Sequence, residues 1–363
     1  MYPKYLEIPT YEECLEICKD HTAFSHSVQE WQGINSGAPD KIESFKYNII
    51  TENMWDGFGR LNMRGITFAN GAMVALPFPK FHNKGETDET RNVNLDKVKY
   101  IFEKVDGSLI SFFRVAEDIE LKSMKSVESD VAVHARKYFK TRPDIHSFVE
   151  SLIDKALSPM FEYVSPYNKI VLNYEEDFIF LGARSLLTGE IFYPKYDIEV
   201  PASITHPAIF DSLDSAKEYL EREDVEGIVL TFEDGMMLKM KTAHYCKIHK
   251  ILDNFVPKNV VAHIAEGTFD DLIGILSEFN MDAEIEMARS TEKKLWDIIN
   301  ERKSAAEVYY HDNKDKSRGD VARDLIPTDK ALSSLVFKLF DGQDLLPYLM
   351  KNLVRESREW RYF

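Results

Sequence analysis

One lysine in the sequence lies where strand and turn patterns could hold its amine in place. Lys104 ends one apolar stretch and precedes the dipeptide Asp106-Gly107, which is typical of a turn, and a second apolar stretch begins at Leu109. Such a lysine can act as a nucleophile if its amine loses its proton, which requires burial or neighbouring cations. The opposing interpretation is an exposed lysine in an ordinary hairpin, and this short segment alone favours it.

Lys239 and Lys241 could supply the neighbouring cations. They are two residues apart in a run with strand character, so both side chains lie on the same face. The turn dipeptide Asp234-Gly235 links this run to an earlier strand candidate that begins at Glu226. A carboxylate and two amines on one hairpin suit a magnesium ion and a polyphosphate, because hard cations take oxygen ligands and lysines pair with phosphate oxygens. Taken alone, these residues fit the edge charges of a solvated hairpin better.

Glu162 is a charged residue inside an otherwise apolar strand candidate, residues 160–164. An unpaired buried carboxylate is costly, so this position predicts either a cationic partner or a place on the solvent face of the strand. The solvent-facing position is the more common outcome for a lone charge in a half-buried strand.

Composition and charge narrow the possible classes of protein. Hydrophobic residues make up 44% and charged residues 29% of the 363, a globular profile. The formal net charge of −16 argues against a protein that coats nucleic acid through bulk charge, so a polyanionic partner must meet a local basic cluster. The sequence has no apolar run long enough for a membrane span and no secretory signal, which predicts a cytoplasmic protein without a membrane partner. Three cysteines without a CxxC pair predict neither a disulfide framework nor a thiolate metal site.

Two kinds of pattern divide the chain. Up to about residue 245, short strand candidates alternate with turns and a few helical stretches, whereas the spacing of apolar residues is helical from Asn259 onward. We therefore predict an α+β fold with one domain over residues 1–250 and an all-helical domain over residues 251–363. The strand candidates are residues 65–68, 98–102, 109–115, 161–164, 178–181, 227–232 and 236–240.

The order of five segments is more specific than any one of them. They are KVDGS at 104, FEYV at 161, FIFLGAR at 178, EGIVL at 226 and LKMK at 238. In this order they resemble the motifs of the covalent nucleotidyltransferases, which are the ATP-dependent DNA and RNA ligases and the mRNA capping enzymes. Further segments, FKYN at 45, MRGITF at 63 and PKFHN at 79, resemble those of the bacteriophage ATP-dependent RNA ligase 1 family, the tRNA-repair type.

The resemblance implies a nucleotidyltransferase domain of antiparallel sheets with flanking helices, followed by a helical domain that influences the choice of RNA. It implies that Lys104 takes AMP from ATP through a phosphoramidate bond. Arg64, Lys80, Lys239 and Lys241 then correspond to the cations of the family that contact the phosphates, and the last two also to catalytic residues that stabilise charge during transfer.

Carboxylates and a glycine are further parts of the implied site. Glu162 corresponds to a carboxylate that contacts the nucleoside, and Glu226 to a catalytic carboxylate close to the metal. Gly107 corresponds to a position where the backbone approaches the nucleotide, and Asp270 to an outer magnesium contact.

Apolar and aromatic residues complete the implied ATP site. We predict that adenine lies between Leu181 and Val229. Phe180 is the alternative, because the pleat of a strand places it on the opposite face. Tyr47 and Tyr245 correspond to further positions of the ATP site.

The sequence departs from the family pattern in two places. His82 stands where the family commonly has a second aromatic residue. Met124 stands at a position that is basic in the family, which leaves open whether Lys122 or Lys125 takes its place.

These features together predict an ATP-dependent RNA ligase that joins a 5′-phosphate to a 3′-hydroxyl, with ATP and Mg²⁺ as cofactors and RNA ends, such as those of broken tRNA, as the partner. We expect a monomer in the cytoplasm, which would be that of an infected host cell if a phage encodes the protein. The alternatives are a DNA ligase or capping-type enzyme, and a relative that binds nucleotide or RNA but has lost catalysis.

Overall fold

The computed structural model describes residues 4–31, 40–48 and 54–361. The chain divides into two compact units, Met1–Lys247 and Ile248–Phe363. The first unit contains sheets and helices, and the described part of the second unit contains helices and no strand. The predicted α+β class, with antiparallel sheets and a helical C-terminal part, is confirmed.

Strands of the first unit form three sheets in the described ranges. The first sheet has the order β1-β2-β3-β4 and is built from β1 (Phe24–Trp31), β2 (Asp40–Tyr47), β3 (Arg64–Ala69) and β4 (Ala72–Ala75). The second sheet contains β7 (Ser108–Val115), β8 (Asp118–Ser123), β9 (Leu157–Val164), β10 (Asp177–Ser185) and β11 (Ile191–Phe192), in the order β11-β10-β9-β7-β8. The third sheet contains β5 (His82–Asn83), β6 (Val98–Lys104), β12 (Ile209–Phe210), β13 (Gly227–Phe232) and β14 (Met237–Lys241), in the order β12-β6-β13-β14-β5.

In the first unit the α-helices precede, separate or follow these strands along the chain, and in the second unit they follow one another. Those that begin in the first unit are α1 (Tyr11–Ile17), α2 (Asp88–Arg91), α3 (Asp130–Phe139), α4 (Pro143–Ile153), α5 (Leu213–Leu220) and α6 (Ala243–Asn254). Those of the second unit are α7 (Pro257–Glu266), α8 (Phe269–Glu278), α9 (Asp282–Asn313), α10 (Arg318–Leu325), α11 (Lys330–Phe340) and α12 (Leu346–Glu356). Among the described residues, no helix combines the length and apolarity needed to cross a bilayer.

Each sheet of the first unit buries one face against helices or against another sheet. Helix α1 covers the first sheet, with Cys14 packed among its apolar side chains, and α3 and α4 cover the second sheet. Phe102 of the third sheet packs with Met160 of the second sheet, so these two sheets share a core. This shared core holds the end of β6 close to β9.

The second unit has its own core. Leu295 and Ile299 of the 32-residue helix α9 are buried together with Leu335 of α11 and Leu349 of α12. The helical spacing of apolar residues in the sequence therefore corresponds to one packed helical unit.

All seven predicted strand segments overlap observed strands, and the Asp106-Gly107 dipeptide links two of them, β6 and β7. The Asp106-Gly107 dipeptide does not close a hairpin, because β6 lies in the third sheet and β7 in the second. Strand β6 pairs instead with β13, more than 120 residues later in the chain. Lys104 therefore lies where the chain passes from the third sheet to the second. It is not an exposed lysine in a hairpin. The Asp234-Gly235 turn does join a hairpin, β13 with β14.

Candidate active site

The register of the third sheet brings three charged residues together around one glycine. Strand β13 lies between β6 and β14, and Gly227 is paired with Lys104 on one side and with Lys241 on the other. Glu226, just before Gly227, is only 2% exposed. One carboxylate oxygen accepts a hydrogen bond of 2.8 Å from Lys104 Nζ, and the other forms an ion pair of 2.8 Å with Lys241 Nζ. One buried carboxylate thus bridges both lysines.

Gly227 is required by this arrangement on steric grounds. A Cβ atom at this position would lie 2.0 Å from the Met240 carbonyl oxygen and 2.8 Å from Lys241 Cα, both of them backbone atoms. Any side chain would push β14 away from β13 and so separate Lys241 from Glu226.

Lys239 joins the same group from a position two residues before Lys241 on β14. It is paired with Val229, and its Nζ atom lies 5.5 Å from the centre of the Phe81 ring. Burial lowers the pKa of Lys239 to about 8, and repulsion from nearby cations adds to the shift. These cations are Lys80, Lys104, Arg64 and Lys241. Since each of them acts on Lys239, the five predicted cations form one cluster.

Arg64 contributes a buried donor without a partner. It begins β3, and its guanidinium carbon lies 5.2 Å from the centre of the Phe81 ring, so Phe81 supports both Arg64 and Lys239. Among the described residues, nothing accepts a hydrogen bond from its buried Nη1 atom, and burial lowers the pKa of Arg64. An unpaired buried donor is costly, so this atom suits an anionic ligand such as a phosphate.

Lys80 and His82 share one acidic neighbour. Glu86 lies 3.9 Å from Lys80 Nζ and 3.0 Å from His82 Nδ1. Burial lowers the pKa of Lys80, and the carboxylate of Glu86 opposes this shift. His82 therefore has an acidic side chain as its partner in this structure, which gives the departure from the family pattern a structural role.

Glu162 reaches this group from the second sheet. It is half-buried on β9, and burial raises its pKa to about 7 although the charge of Lys104 opposes the shift. The predicted cationic neighbour is therefore present. Gly107 lies against the same strand, because a Cβ atom there would be 2.6 Å from the Tyr163 carbonyl oxygen and 2.9 Å from Glu162 Cγ. The close approach seen at Gly107 is thus to β9, and its predicted approach to a nucleotide stays a prediction.

Asp106 is a site residue to which the sequence analysis gave no role. It is buried, and one carboxylate oxygen accepts hydrogen bonds from the backbone N–H groups of Val171 (2.9 Å) and Leu172 (2.8 Å). Its other oxygen accepts a bond of 2.7 Å from the Tyr245 hydroxyl. Asp106 therefore ties the segment after Lys104 to two distant parts of the unit. In the sequence, the signal for this residue is an acid within KVDGS, and the Asp-Gly pattern there predicts a turn residue.

Tyr245 and Tyr47 lie beside cations of the cluster. The Tyr245 ring is 4.7 Å from Lys241 Nζ, and burial is the first of several causes that raise its pKa. Tyr47 ends β2 and packs edge-on against Trp55. Its side chain also opposes the lowering of the Arg64 pKa that burial causes. Contact of either tyrosine with ATP stays a prediction.

The two residues predicted to enclose adenine, Leu181 and Val229, pack against the same hydrophobic cluster. Leu181 and Val229 are both partly buried at the cluster that contains Phe102 and Met237. Phe180, the alternative, is fully buried in a different core between the second sheet and its helices, so it cannot stack on a ligand.

The acidic residues fit a metal that arrives with a nucleotide. Among the described residues, no three His, Cys, Asp or Glu side chains are grouped so that they could hold a metal ion. Magnesium usually takes one or two protein carboxylates and completes its shell with phosphate oxygens and water. Glu226 and Glu162 are the carboxylates beside Lys104 that could take this part, and the contact of Glu226 with a metal and of Glu162 with the nucleoside stay predictions. Asp270 lies in the first turn of α8, in the second unit, and its role at a metal stays a prediction.

Lys122 and Lys125 differ sharply in environment. Lys122 is buried, and its Nζ atom donates to the carbonyl oxygens of Gly65 (3.1 Å) and Met124 (3.3 Å). Burial lowers its pKa to about 7. Lys125 is exposed. Lys122 is therefore the lysine that lies beside β3, the strand that carries Arg64.

Comparison with known proteins decides the family. The model of the RNA ligase family of the T4 RNA ligase 1 type matches residues 62–245, just over half of the chain and nearly all of the predicted site. The chain belongs to this RNA ligase family. A candidate RNA ligase from Thermovibrio ammonificans is 27% identical over 215 residues, which cover 56% of this chain and 57% of that protein. The chain thus spans little more than half the length of this relative.

Solved structures with similar folds include ligases of both nucleic acids. An archaeal ATP-dependent RNA ligase has a TM-score of 0.46 at 10% identity, with 83% of this chain and 80% of that chain covered. A candidate ATP-dependent DNA ligase from Aquifex aeolicus has a TM-score of 0.46 at 12% identity, with 80% and 81% covered. A Naegleria gruberi RNA ligase variant with ATP and Mn has a TM-score of 0.31 at 16% identity, with 42% and 51% covered. At these TM-scores the similarities carry no argument about the site.

Proposed function

We propose that this RNA ligase seals a 5′-phosphate to a 3′-hydroxyl through a lysyl-AMP intermediate on Lys104, with ATP as the source of AMP. The observation that carries the proposal is the convergence of Lys104 with four further cations around the buried carboxylate of Glu226. A half-buried cluster of five cations has too few acidic partners of its own, and a triphosphate would supply the missing negative charge.

In the first step the Lys104 amine attacks the α-phosphorus of ATP. A phosphorus–nitrogen bond forms, the bond from the α-phosphorus to the bridging oxygen breaks, and pyrophosphate leaves while the amine loses its proton. Lys104 is held by Glu226 at 2.8 Å, so this ion pair must open before the amine can attack. Arg64, Lys80 and Lys239 are the cations that would neutralise the charge that grows on the departing pyrophosphate.

The remaining steps use the activated AMP. An oxygen of the RNA 5′-phosphate attacks the phosphorus of lysyl-AMP, which frees Lys104 and gives an RNA end that carries AMP. The 3′-hydroxyl then attacks that 5′-phosphate, and AMP leaves. Magnesium would supply further charge neutralisation at the phosphates, with Glu226 and Glu162 as the carboxylates beside them. We place the protein in RNA repair, with broken tRNA as one substrate, acting as a cytoplasmic monomer.

The described helical character of the second unit favours RNA over the other nucleotidyltransferase substrates. DNA ligases and capping enzymes commonly follow the catalytic domain with a β-barrel, whereas residues 248–361 contain helices and no strand. Sealing of a labelled 5′-phosphate RNA strand, compared with the DNA strand of the same sequence, tests this preference directly.

The deciding experiment is the intact mass of the purified protein after incubation with ATP and Mg²⁺, followed by peptide mapping. We expect a gain of one AMP on Lys104 that pyrophosphate reverses. Lys104→Ala should give no adduct while its circular dichroism stays that of the parent protein. Lys99→Ala is the matched control, because Lys99 is an exposed lysine on the same strand, and it should gain AMP normally.

Two results would contradict the proposal. One is an adduct that persists in Lys104→Ala. The other is the lack of any adduct, with ATP or GTP, on parent protein stripped of bound nucleotide. The second result, combined with a shift of RNA in a gel without ATP, would favour the binding-only alternative.

A further inference from the structure

A cavity of about 280 Å³ lies within the second unit, and its lining contains none of the residues assigned to the candidate active site. One face of helix α9 forms part of its lining, since the lining residues of α9 recur at intervals of three and four. Pro257 at the start of α7 and the segment Trp360–Arg361 complete the lining. The residues of α9 are Ala283, Glu286, Met287, Ser290, Thr291 and Lys294.

The chemistry of this lining combines an aromatic plane with cations. Trp360 is half-buried, and the Lys294 ammonium lies 4.8 Å from the centre of its ring. Arg361 is exposed at the same cavity, and Met287 adds apolar surface. Aromatic rings on which bases stack, with cations that follow the backbone, are the means by which proteins bind single-stranded nucleic acid.

The last described segment of the chain, which includes Trp360, has a net charge opposite in sign to that of the chain as a whole. Residues 351–361 contain four cations and two carboxylates, in a protein of net charge −16. One of the two carboxylates, Glu356, is already engaged, because Arg302 donates two hydrogen bonds to it at 2.8 and 2.9 Å. The cavity lining itself holds two cations, Lys294 and Arg361, and one carboxylate, Glu286, so it is net positive on an acidic protein, as a polyanion requires.

We propose that this cavity binds one unpaired nucleotide of the RNA substrate, with the base against the indole of Trp360 and its phosphate near Lys294 and Arg361. Glu286 and Ser290 offer a carboxylate and a hydroxyl to the edge of the base. The inference rests on the proposed function, because it assumes that the substrate is RNA. It gives the second unit a defined contact with a single-stranded segment, independent of the chemistry at Lys104.

The size of the cavity supports a nucleotide over a segment of a partner protein. A volume of about 280 Å³ is near the lower end of the range for small-molecule sites, and it has room for a single planar group rather than for a helix or strand of a partner. The pairing of an indole with two cations also matches a base joined to a phosphate.

The test is binding of a fluorescent single-stranded oligoribonucleotide of twelve uridines to the full chain, measured by anisotropy without ATP or Mg²⁺. Trp360→Ala should weaken binding by about fivefold to a hundredfold, the range expected from the loss of one stacked base. Trp360→Phe keeps an aromatic plane and should lose much less. Arg361→Gln should weaken binding and reduce its dependence on salt.

Trp296→Ala is the matched control, since Trp296 is a partly exposed tryptophan on the same helix α9 that does not line the cavity. It should bind the oligoribonucleotide as the parent protein does. Each variant should also take AMP from ATP at the parent rate, which checks that it is folded and separates this inference from the proposed function.

Equal binding by Trp360→Ala and the parent protein would overturn the inference, and so would an equal loss in Trp296→Ala. Failure of the parent to bind the oligoribonucleotide would also overturn it and would leave a protein as the ligand to test. If the parent forms no AMP adduct but its binding depends on Trp360, the proposed function fails while the cavity is retained as an RNA site.

Discussion

Substitution of Glu226 by glutamine tests the charge balance of the candidate site. Glu226 is almost fully buried and holds Lys104 and Lys241 at 2.8 Å each, while the two lysine side chains are 20% and 21% exposed. Removal of one partner from a buried ion pair costs about 3–5 kcal/mol. Glutamine keeps the shape and one oxygen, and solvent partly screens the lysines. We therefore expect Glu226→Gln to lower the free energy of unfolding by about 2–3 kcal/mol.

A polyphosphate should reverse part of this loss, because it would supply the negative charge that the variant lacks. Urea unfolding at neutral pH, with and without inorganic tripolyphosphate, measures the effect. A ligand at one hundred times its Kd stabilises a protein by about 2.7 kcal/mol. If the variant cluster binds tripolyphosphate about tenfold more tightly than the parent cluster, the difference in stability between the two proteins should shrink by about 1.4 kcal/mol.

Glu43→Gln is the matched control for this experiment. Glu43 is also a buried carboxylate of the first unit, and it accepts hydrogen bonds of 2.7 Å from Lys41, Tyr11 and His26. It belongs to the first sheet, outside the five-cation cluster, so tripolyphosphate should leave its stability deficit unchanged. The reasoning is refuted if tripolyphosphate does not reduce the difference in free energy of unfolding between Glu226→Gln and the parent protein. It is also refuted if tripolyphosphate reduces the corresponding difference for Glu43→Gln by as much.

Three further predictions follow from the same structure. Gly227→Ala should lower stability by about 1–3 kcal/mol and slow formation of the AMP adduct, since its Cβ would collide with backbone, whereas Gly274→Ala in α8 meets nothing within 4 Å and should unfold at equal or higher urea. Tyr245→Phe removes the hydrogen bond from the Tyr245 hydroxyl to the carboxylate of Asp106, and in urea unfolding it should lower the free energy of unfolding by about 1.5–3 kcal/mol. An unchanged free energy would show that the backbone N–H groups alone hold Asp106. Burial lowers the pKa of Lys122 to about 7, below the ~10.4 of an unfolded lysine, so the unfolded chain holds more protons between these values and stability should rise with pH across that window. Lys122→Met should flatten this rise in unfolding measurements from pH 7 to 10, and an unchanged slope would contradict the assignment.

The sequence by itself determined the local elements and the kinds of chemistry available. Alternation of apolar residues is a property of short windows, so it located β7, β10 and β13 within a few residues. The spacing of Lys239 and Lys241 placed both on one face of β14, because side chains of a strand repeat every two residues. The helical spacing after Asn259 likewise predicted the helices of the second unit.

Only the tertiary structure decided which of these elements meet. The Asp106-Gly107 dipeptide carries a local turn signal, but pairing of β6 with β13 brings together residues 122 positions apart, and no short window encodes such a contact. That pairing makes Glu226 the shared partner of Lys104 and Lys241, and it turns Asp106 from a turn residue into a buried anchor. The sequence thus specified the reactive groups and their strands, while long-range pairing and burial specified their partners and their charge.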